Sequence, residues 1–273
     1  MALGPLVQAT TTSSIKKLIS LSFKDVEEVA ALTVDSWVRA SSIAEICPRE
    51  EVLVSRHKLV RKREVDAGLN MTFEHGKALH YQLQNSILPR LGIILGEWAC
   101  TACGEHVGRQ VPGVPIREWA VPKPRACACG ADQFQYVEAT FVNEEYRLTG
   151  HNDGFLTLLD RDDLGILEAK SIGDTVWEVV AVPNLNHVVQ ANIYMWLADL
   201  KWAKIIYWHK GGYGVESLVE HNVDRDEDLI CTIKQNLESM WRGIKGGDVP
   251  SRVCAHSEAP RAAVCPVKKP CFE

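Results

Sequence analysis

The chain has 273 residues, 46% of them hydrophobic and 24% charged, with a formal net charge of −5. This is long enough for one large core or a core with small modules, and the mildly acidic total excludes indiscriminate coating of nucleic acid. The opening Met-Ala-Leu-Gly-Pro-Leu-Val-Gln lacks a basic n-region, and no apolar run approaches the roughly 18 residues of a membrane span, so the expected location is intracellular. Nine cysteines are many for such a location, where disulfides are disfavoured, and clustered ones point to metal.

In chain order, Val26, Val29, Ala30 and Trp37 stand at helical spacing and predict a helix within 24–46, broken near Ser41-Ser42. Cys47-Pro48-Arg49-Glu50 reads as a new helix start, with Pro in the first turn. The run from Arg56 to Arg61-Lys62-Arg63 is dense in cations, either a solvated face or a phosphate contact. Phe73 to Leu88 predicts an amphipathic helix carrying His75 and His80. Residues 99–131 lose periodicity and gain four cysteines with prolines and glycines, the mark of an inserted module.

Strands are expected near 134–142, 145–159 and 165–170, a helix over about 187–199, and a strand over Ala203–Trp208. Gly211-Gly-Tyr-Gly214 predicts a hairpin turn into a strand over Val215–Val219, and Asp224-Arg-Asp-Glu227 caps a long helix reaching about 244, with Cys231 in its core face. The order predicts an α/β fold, a mixed sheet flanked by helices. Its expected parts are an N-terminal helical region (1–98), the inserted module (99–131), a core (132–250) and a cysteine-containing tail (251–273).

Asp160, Asp162 and Asp163 fall with Gly165 in a polar turn, but Asp153 and Glu168 sit inside apolar stretches. Burying an unpaired carboxylate is costly, so both call for a compensating cation. Lys170 is two residues after Glu168 and shares its strand face. On the following helix His187, Gln190 and Tyr194 share a face that can turn toward the same sheet.

Gly76-Lys-Ala-Leu-His80, Gly150-His-Asn-Asp153-Gly, Ile166-Leu-Glu168-Ala-Lys170-Ser and Gln190-Ala-Asn-Ile-Tyr194, in this order, resemble the PD-(D/E)XK nuclease superfamily and within it the RecB-like exonucleases. The resemblance spans roughly 70–210 outside the cysteine-rich insertion. It implies a restriction-endonuclease-like core acting on DNA, with His80, Asp153 and Glu168 as ligands of Mg2+ or Mn2+ alongside a backbone carbonyl near Ala169. Hard cations of this kind take carboxylate oxygens. By the same resemblance Lys170 orients or polarises the attacking water, Gln190 and Tyr194 position Lys170, a metal-bound water or the DNA strand, and the substrate is single-stranded DNA ends, degraded 5′ to 3′. His75 and His151 lie close enough to compete with His80 for the ligand role.

Two further cysteine sets stand out. Cys100-Thr-Ala-Cys103-Gly and Cys127-Ala-Cys129-Gly, with 23 residues between the pairs, fit a zinc ribbon, the second pair being C-x-C where C-x-x-C is usual. Cys47, Cys254, Cys265 and Cys271 resemble the iron–sulfur arrangement of the CRISPR-associated and AddB-type members, which implies a [4Fe–4S] cluster joining the two ends of the domain. Cys254 and Cys265 are separated by ten residues where that family has a close pair, which leaves His256 or a zinc ion as the alternative. The rival functional readings are an endonuclease of the same superfamily and a non-catalytic nucleic-acid-binding module.

Overall fold

The structure, a computed structural model, describes residues 14–22 and 25–273. At its centre is a five-stranded mixed sheet, ordered Leu218–Asp224, Trp202–His209, Gly165–Ile172, Gly154–Leu156, Ile94–Leu95. Only the pair Gly165–Ile172 with Trp202–His209 is parallel. A parallel pair needs a crossover, and the helix Leu185–Ala198 supplies it, started by the Asn184 side chain accepting from the Asn186 N–H.

Alternation along Gly165–Ile172 divides the two faces of the sheet. Ile166 joins Phe155, Ala203 and Ile205 beneath that crossover helix and the helix Glu227–Ile244, while Leu167 and Ala169 face Leu83, Trp98 and Trp202 on the other side. Both faces are covered, which is why the strand reads as nearly continuous apolar sequence and why Glu168 within it is conspicuous.

Beside the central sheet, Leu148–Asn152 lies between Val38–Arg39 and Ala139–Asn143, and then passes through a bend at Asp153 into Gly154–Leu156. Glu97–Cys100, His106–Val107 and Phe134–Val137 form a third sheet, so the cysteine-rich insertion is framed by strands reaching from 97 to 137. The histidine-bearing helix starts at Ala67, capped by Asp66, and runs to Gln82. It then widens into a π-turn, Leu83–Ile87. Among the described residues no helix is long and apolar enough to cross a membrane.

Three expectations are corrected. The described residues 25–46 hold no α-helix: Asp25–Val29 is a strand antiparallel to Arg61–Val65, with Glu27 opposite Arg63 and Glu28 opposite Lys62, and Ala40–Glu45 is a 3₁₀ turn. Opposite charges facing each other across two strands outweigh a helical pattern made of Val26, Val29 and Trp37, all of which are exposed. Gly214 opens a 3₁₀ turn over Val215–Ser217, so the expected strand begins only at Leu218. Cys231 is exposed; the buried face of its helix is Ile230, Ile233, Leu237 and Met240.

Candidate metal centre and active site

The bend at Asp153 sets up the site. The Asn152 side chain donates to the Gly154 carbonyl across it (2.7 Å), and Asp153 Oδ2 accepts from the Ala169 N–H on the neighbouring strand (2.7 Å), filling a place a ladder carbonyl would otherwise take. This fixes Asp153 against Glu168-Ala169-Lys170. Its other oxygen, Oδ1, lies 3.4 Å from His80 Nδ1.

His80 gets there because its helix approaches the strand closely at Gly76, where a Cβ would come within 2.8 Å of Ser171 Oγ. His75 and His151 are both exposed and stand outside the cluster. Among the described residues, the ligand atoms of His80, Asp153 and Glu138 lie within 4.8 Å of one another. Glu138 is the residue sequence analysis missed. It sits at the junction of two strands, outside every motif, and its only signal is an acid within Tyr-Val-Glu-Ala, a stretch of strand-forming residues.

Glu168 stands beside this trio and is engaged by Lys170, whose ammonium is 2.5 Å from Oε1. Beyond this ammonium, neither Glu168 oxygen has a hydrogen-bond donor, and the side chain is 1% exposed. A buried carboxylate with oxygen lone pairs to spare is a group that a divalent cation can use. Lys170 Nζ also donates to Gln190 Oε1 (3.1 Å), and Gln190 Nε2 is 3.5 Å from the Tyr194 hydroxyl, so Lys170, Gln190 and Tyr194 stand next to one another beside the crossover helix. His187 turns instead to the Tyr207 hydroxyl (2.8 Å).

The charges fit together. Burial works against the His80 imidazolium, but Asp153 outweighs it and holds the His80 pKa above its ordinary value. Burial likewise opposes the Asp153 carboxylate, yet His80, Lys170 and the Ala169 N–H together hold its pKa below the usual range. For Glu168 burial wins, raising its carboxyl to about 7. Lys170 is kept charged, since Glu168 and Asp153 more than offset its desolvation. Burial and then Asp153 raise Glu138. A cation among these three acids would favour their ionised forms and take the place of the proton on His80.

The π-turn also ties the site to the third sheet. Gln84 donates to Glu138 Oε1 and to the Asp153 carbonyl (both 2.9 Å), and Asn85 Oδ1 accepts from the Tyr136 N–H (2.7 Å). Widened turns of this kind re-aim side chains, here two successive amides. A cleft of about 980 Å3 opens between the histidine helix and the strand Phe134–Val137, with His80 and Glu138 in its lining.

The four cysteines 100, 103, 127 and 129 converge. Their sulfurs lie within 4.8 Å of one another, with Cys100 and Cys129 3.7 Å apart and Cys103 and Cys127 3.6 Å apart. Four thiolates at about 2.3 Å from a tetrahedral ion are about 3.8 Å from each other, so the set fits one metal ion. Gly104 and Gly130 close the two turns with positive φ (75° and 88°). The backbone N–H groups of Cys103 and Ala102 draw the Cys100 thiol down to about 7. At Cys103 the Glu105 N–H pulls the same way, but the sulfurs of Cys129 and Cys100 prevail and push the thiol up to about 12. Four thiolates this close need a cation between them.

Cys47, Cys254, Cys265 and Cys271 line one small cavity, with Arg49 donating to Cys271 Sγ at 3.3 Å. They are spaced more widely than the first set: among the described residues no three of their sulfurs lie within 4.8 Å of one another. His256 is not in the cavity lining.

No family model matches this sequence, and no curated protein matches it. Among solved structures, the chain is similar to an alkaline exonuclease from Laribacter hongkongensis, at 13% identity over 77% of this chain and 88% of that one, with a TM-score of 0.43; the same enzyme in complex with dAMP gives the same figures. It is also similar to the protein SSO0001, at 16% identity over 86% of this chain and 88% of that one, with a TM-score of 0.40.

Proposed function

We propose that this chain is a divalent-metal-dependent deoxyribonuclease that hydrolyses phosphodiester bonds in DNA. The observation that carries the reading is the convergence of His80, Asp153 and Glu138 from three separate segments, against Glu168 and a charged Lys170, at the wall of an open cleft. His80, Glu138, Asp153 and Glu168 would hold Mg2+ or Mn2+, with the Ala169 carbonyl adjacent. When bound, such an ion neutralises phosphate charge and makes water a stronger nucleophile. Lys170, held by Glu168 and Gln190, orients that water toward phosphorus. Tyr194 holds Gln190, and the acids keep the lysine protonated. As water adds, the bond from phosphorus to the leaving oxygen breaks.

Single-stranded ends as substrate and 5′-to-3′ direction follow from the motif resemblance. Zinc is the ion proposed for Cys100, Cys103, Cys127 and Cys129, and a [4Fe–4S] cluster for Cys47, Cys254, Cys265 and Cys271, whose wider spacing suits a cluster better than a single ion.

The test is cleavage of linear single-stranded DNA with Mg2+ or Mn2+. Asp153→Ala and Lys170→Ala should lose about 10²–10⁴-fold in rate while DNA binding is retained. Wild-type protein inert on every DNA form, or Asp153→Ala cleaving at the wild-type rate, would end this reading. Digestion of circular single strands would move it from exonuclease to endonuclease.

A further inference from the structure

The helix Ala67–Gln82 borders the candidate site and has no fully buried residue along its sixteen positions. Its exposed groups include aromatic rings as well as charges. Phe73 is 42% and Tyr81 54% exposed, with Lys77 between them. At i, i+4 and i+8 the three share one face, each about 6 Å further along the axis. His80 and Gln84 continue that face, and all five line the cleft that contains Glu138. Lys210 lines the same cleft, anchored by its donation to the Thr72 carbonyl (3.2 Å).

Two uncovered aromatic rings alternating with a cation, in a groove ending at candidate metal ligands, describe a ligand with flat apolar faces joined by negative charge. Among the described residues Lys77 pairs with Glu74 on its own helix, a surface pair that a phosphate can replace. We propose that this face is a stacking platform for an unpaired nucleic-acid strand. Bases lie on Phe73 and Tyr81, phosphates meet Lys77 and Lys210, and the strand is led toward His80 and Glu138. Paired bases present no free face to such rings, so the platform selects single strands over duplex. The direction of the strand rests on the nuclease reading above; the stacking does not.

The experiment is fluorescence anisotropy without added divalent metal, using a short labelled oligothymidine, the same backbone with abasic sites, and a matched duplex. Phe73→Ala and Tyr81→Ala should each weaken oligothymidine binding by roughly ten-fold, with Phe73→Tyr and Tyr81→Phe restoring it and duplex affinity unchanged. The abasic strand should bind the wild-type protein as weakly as oligothymidine binds the double alanine variant, and the variants should lose nothing further on it. Equal affinity for abasic and intact strands, or equal losses on duplex, would overturn the platform. Because the assay needs no cleavage, a chain that stacks bases but never cuts DNA refutes only the nuclease reading, and one that cuts DNA with unaltered oligothymidine affinity refutes only the platform.

Discussion

At the scale of single residues, the site depends on two approaches that leave no room for larger side chains or looser geometry. Asp153 is aimed by one hydrogen bond to Ala169, and His80 is brought to it by Gly76 resting on Ser171. A valine at Gly76 would bring its Cβ within 2.8 Å of Ser171 Oγ, so the serine hydroxyl must rotate away or the helix must shift from the strand. Since that helix buries none of its residues fully, Gly76→Val should cost little stability, about 1 kcal/mol or less. The proposed cleavage would be more sensitive, because displacing a reacting or ligating group by about 1 Å can cost about 10²-fold in rate. The expected outcome is a thermal midpoint close to wild type with cleavage down by about 100-fold. A variant of full activity would show that His80 does not act through this approach. In the basic run, Arg61 makes a two-pronged pair with Glu51 (2.7 and 3.0 Å), so its cation serves the fold before any phosphate.

Among elements, the cysteine-rich sheet is built in two halves that differ in what holds them. Trp98 and Tyr136 meet edge to face at 5.1 Å and are buried with Cys100 and Cys127 against Leu83, Leu156 and Trp202, whereas the outer parts of the turns Cys100–Gly104 and Cys127–Gly130 expose Cys103 and Cys129 and are held by a few backbone hydrogen bonds and the four sulfurs. Removing the metal with a chelator, or making Cys103→Ser, should therefore melt the turns and leave the inner half in place. Hydrogen exchange should show protection lost over 100–105 and 127–131 and kept at the amides of Trp98 and Tyr136, with cleavage reduced less than about ten-fold because Asn85 and Gln84 still hold Tyr136 and Glu138. Loss at Trp98 and Tyr136 as well would mean that the metal, not the apolar contact, supports this sheet. Sequence made these elements legible where their chemistry is local: Glu168 and Lys170 share a strand face, Gln190 and Tyr194 are one helical turn apart, and Cys-x-x-Cys-Gly defines its own turn. It did not disclose Glu138, Gln84 or Asn85, whose roles arise from a π-turn and a strand junction brought together across 54 and 51 residues. The strand Asp25–Val29 was hidden for a related reason, since its partner lies beyond an intervening helix and only the cross-strand charges reveal the pairing.

For the molecule as a whole, the question is what fastens the C-terminal tail to a helix two hundred residues earlier. Cys47 precedes the helix Pro48–Arg56, and Cys265 and Cys271 flank the start of the short helix Lys268–Phe272, packed there by a small apolar group of Leu53, Val54 and Val267. Arg49 adds donations to the Pro250 and Cys271 carbonyls (2.9 and 3.2 Å) and to Cys271 Sγ. Beyond residue 250 only Ala262 and Val267 are buried hydrophobic residues, too little to hold the segment by itself, so four thiolates on a shared inorganic centre would be the main fastening. Protein purified without oxygen should then be brown, with iron and sulfide in equal amounts and about one zinc for the ribbon. Cys271→Ser should bleach it and expose the tail to protease after Pro250, while the fragment that remains keeps the central sheet. Colourless protein carrying two zinc ions would replace the cluster by a second zinc site, and a tail equally resistant in wild type and Cys271→Ser would assign the fastening to Arg49 and the apolar group alone.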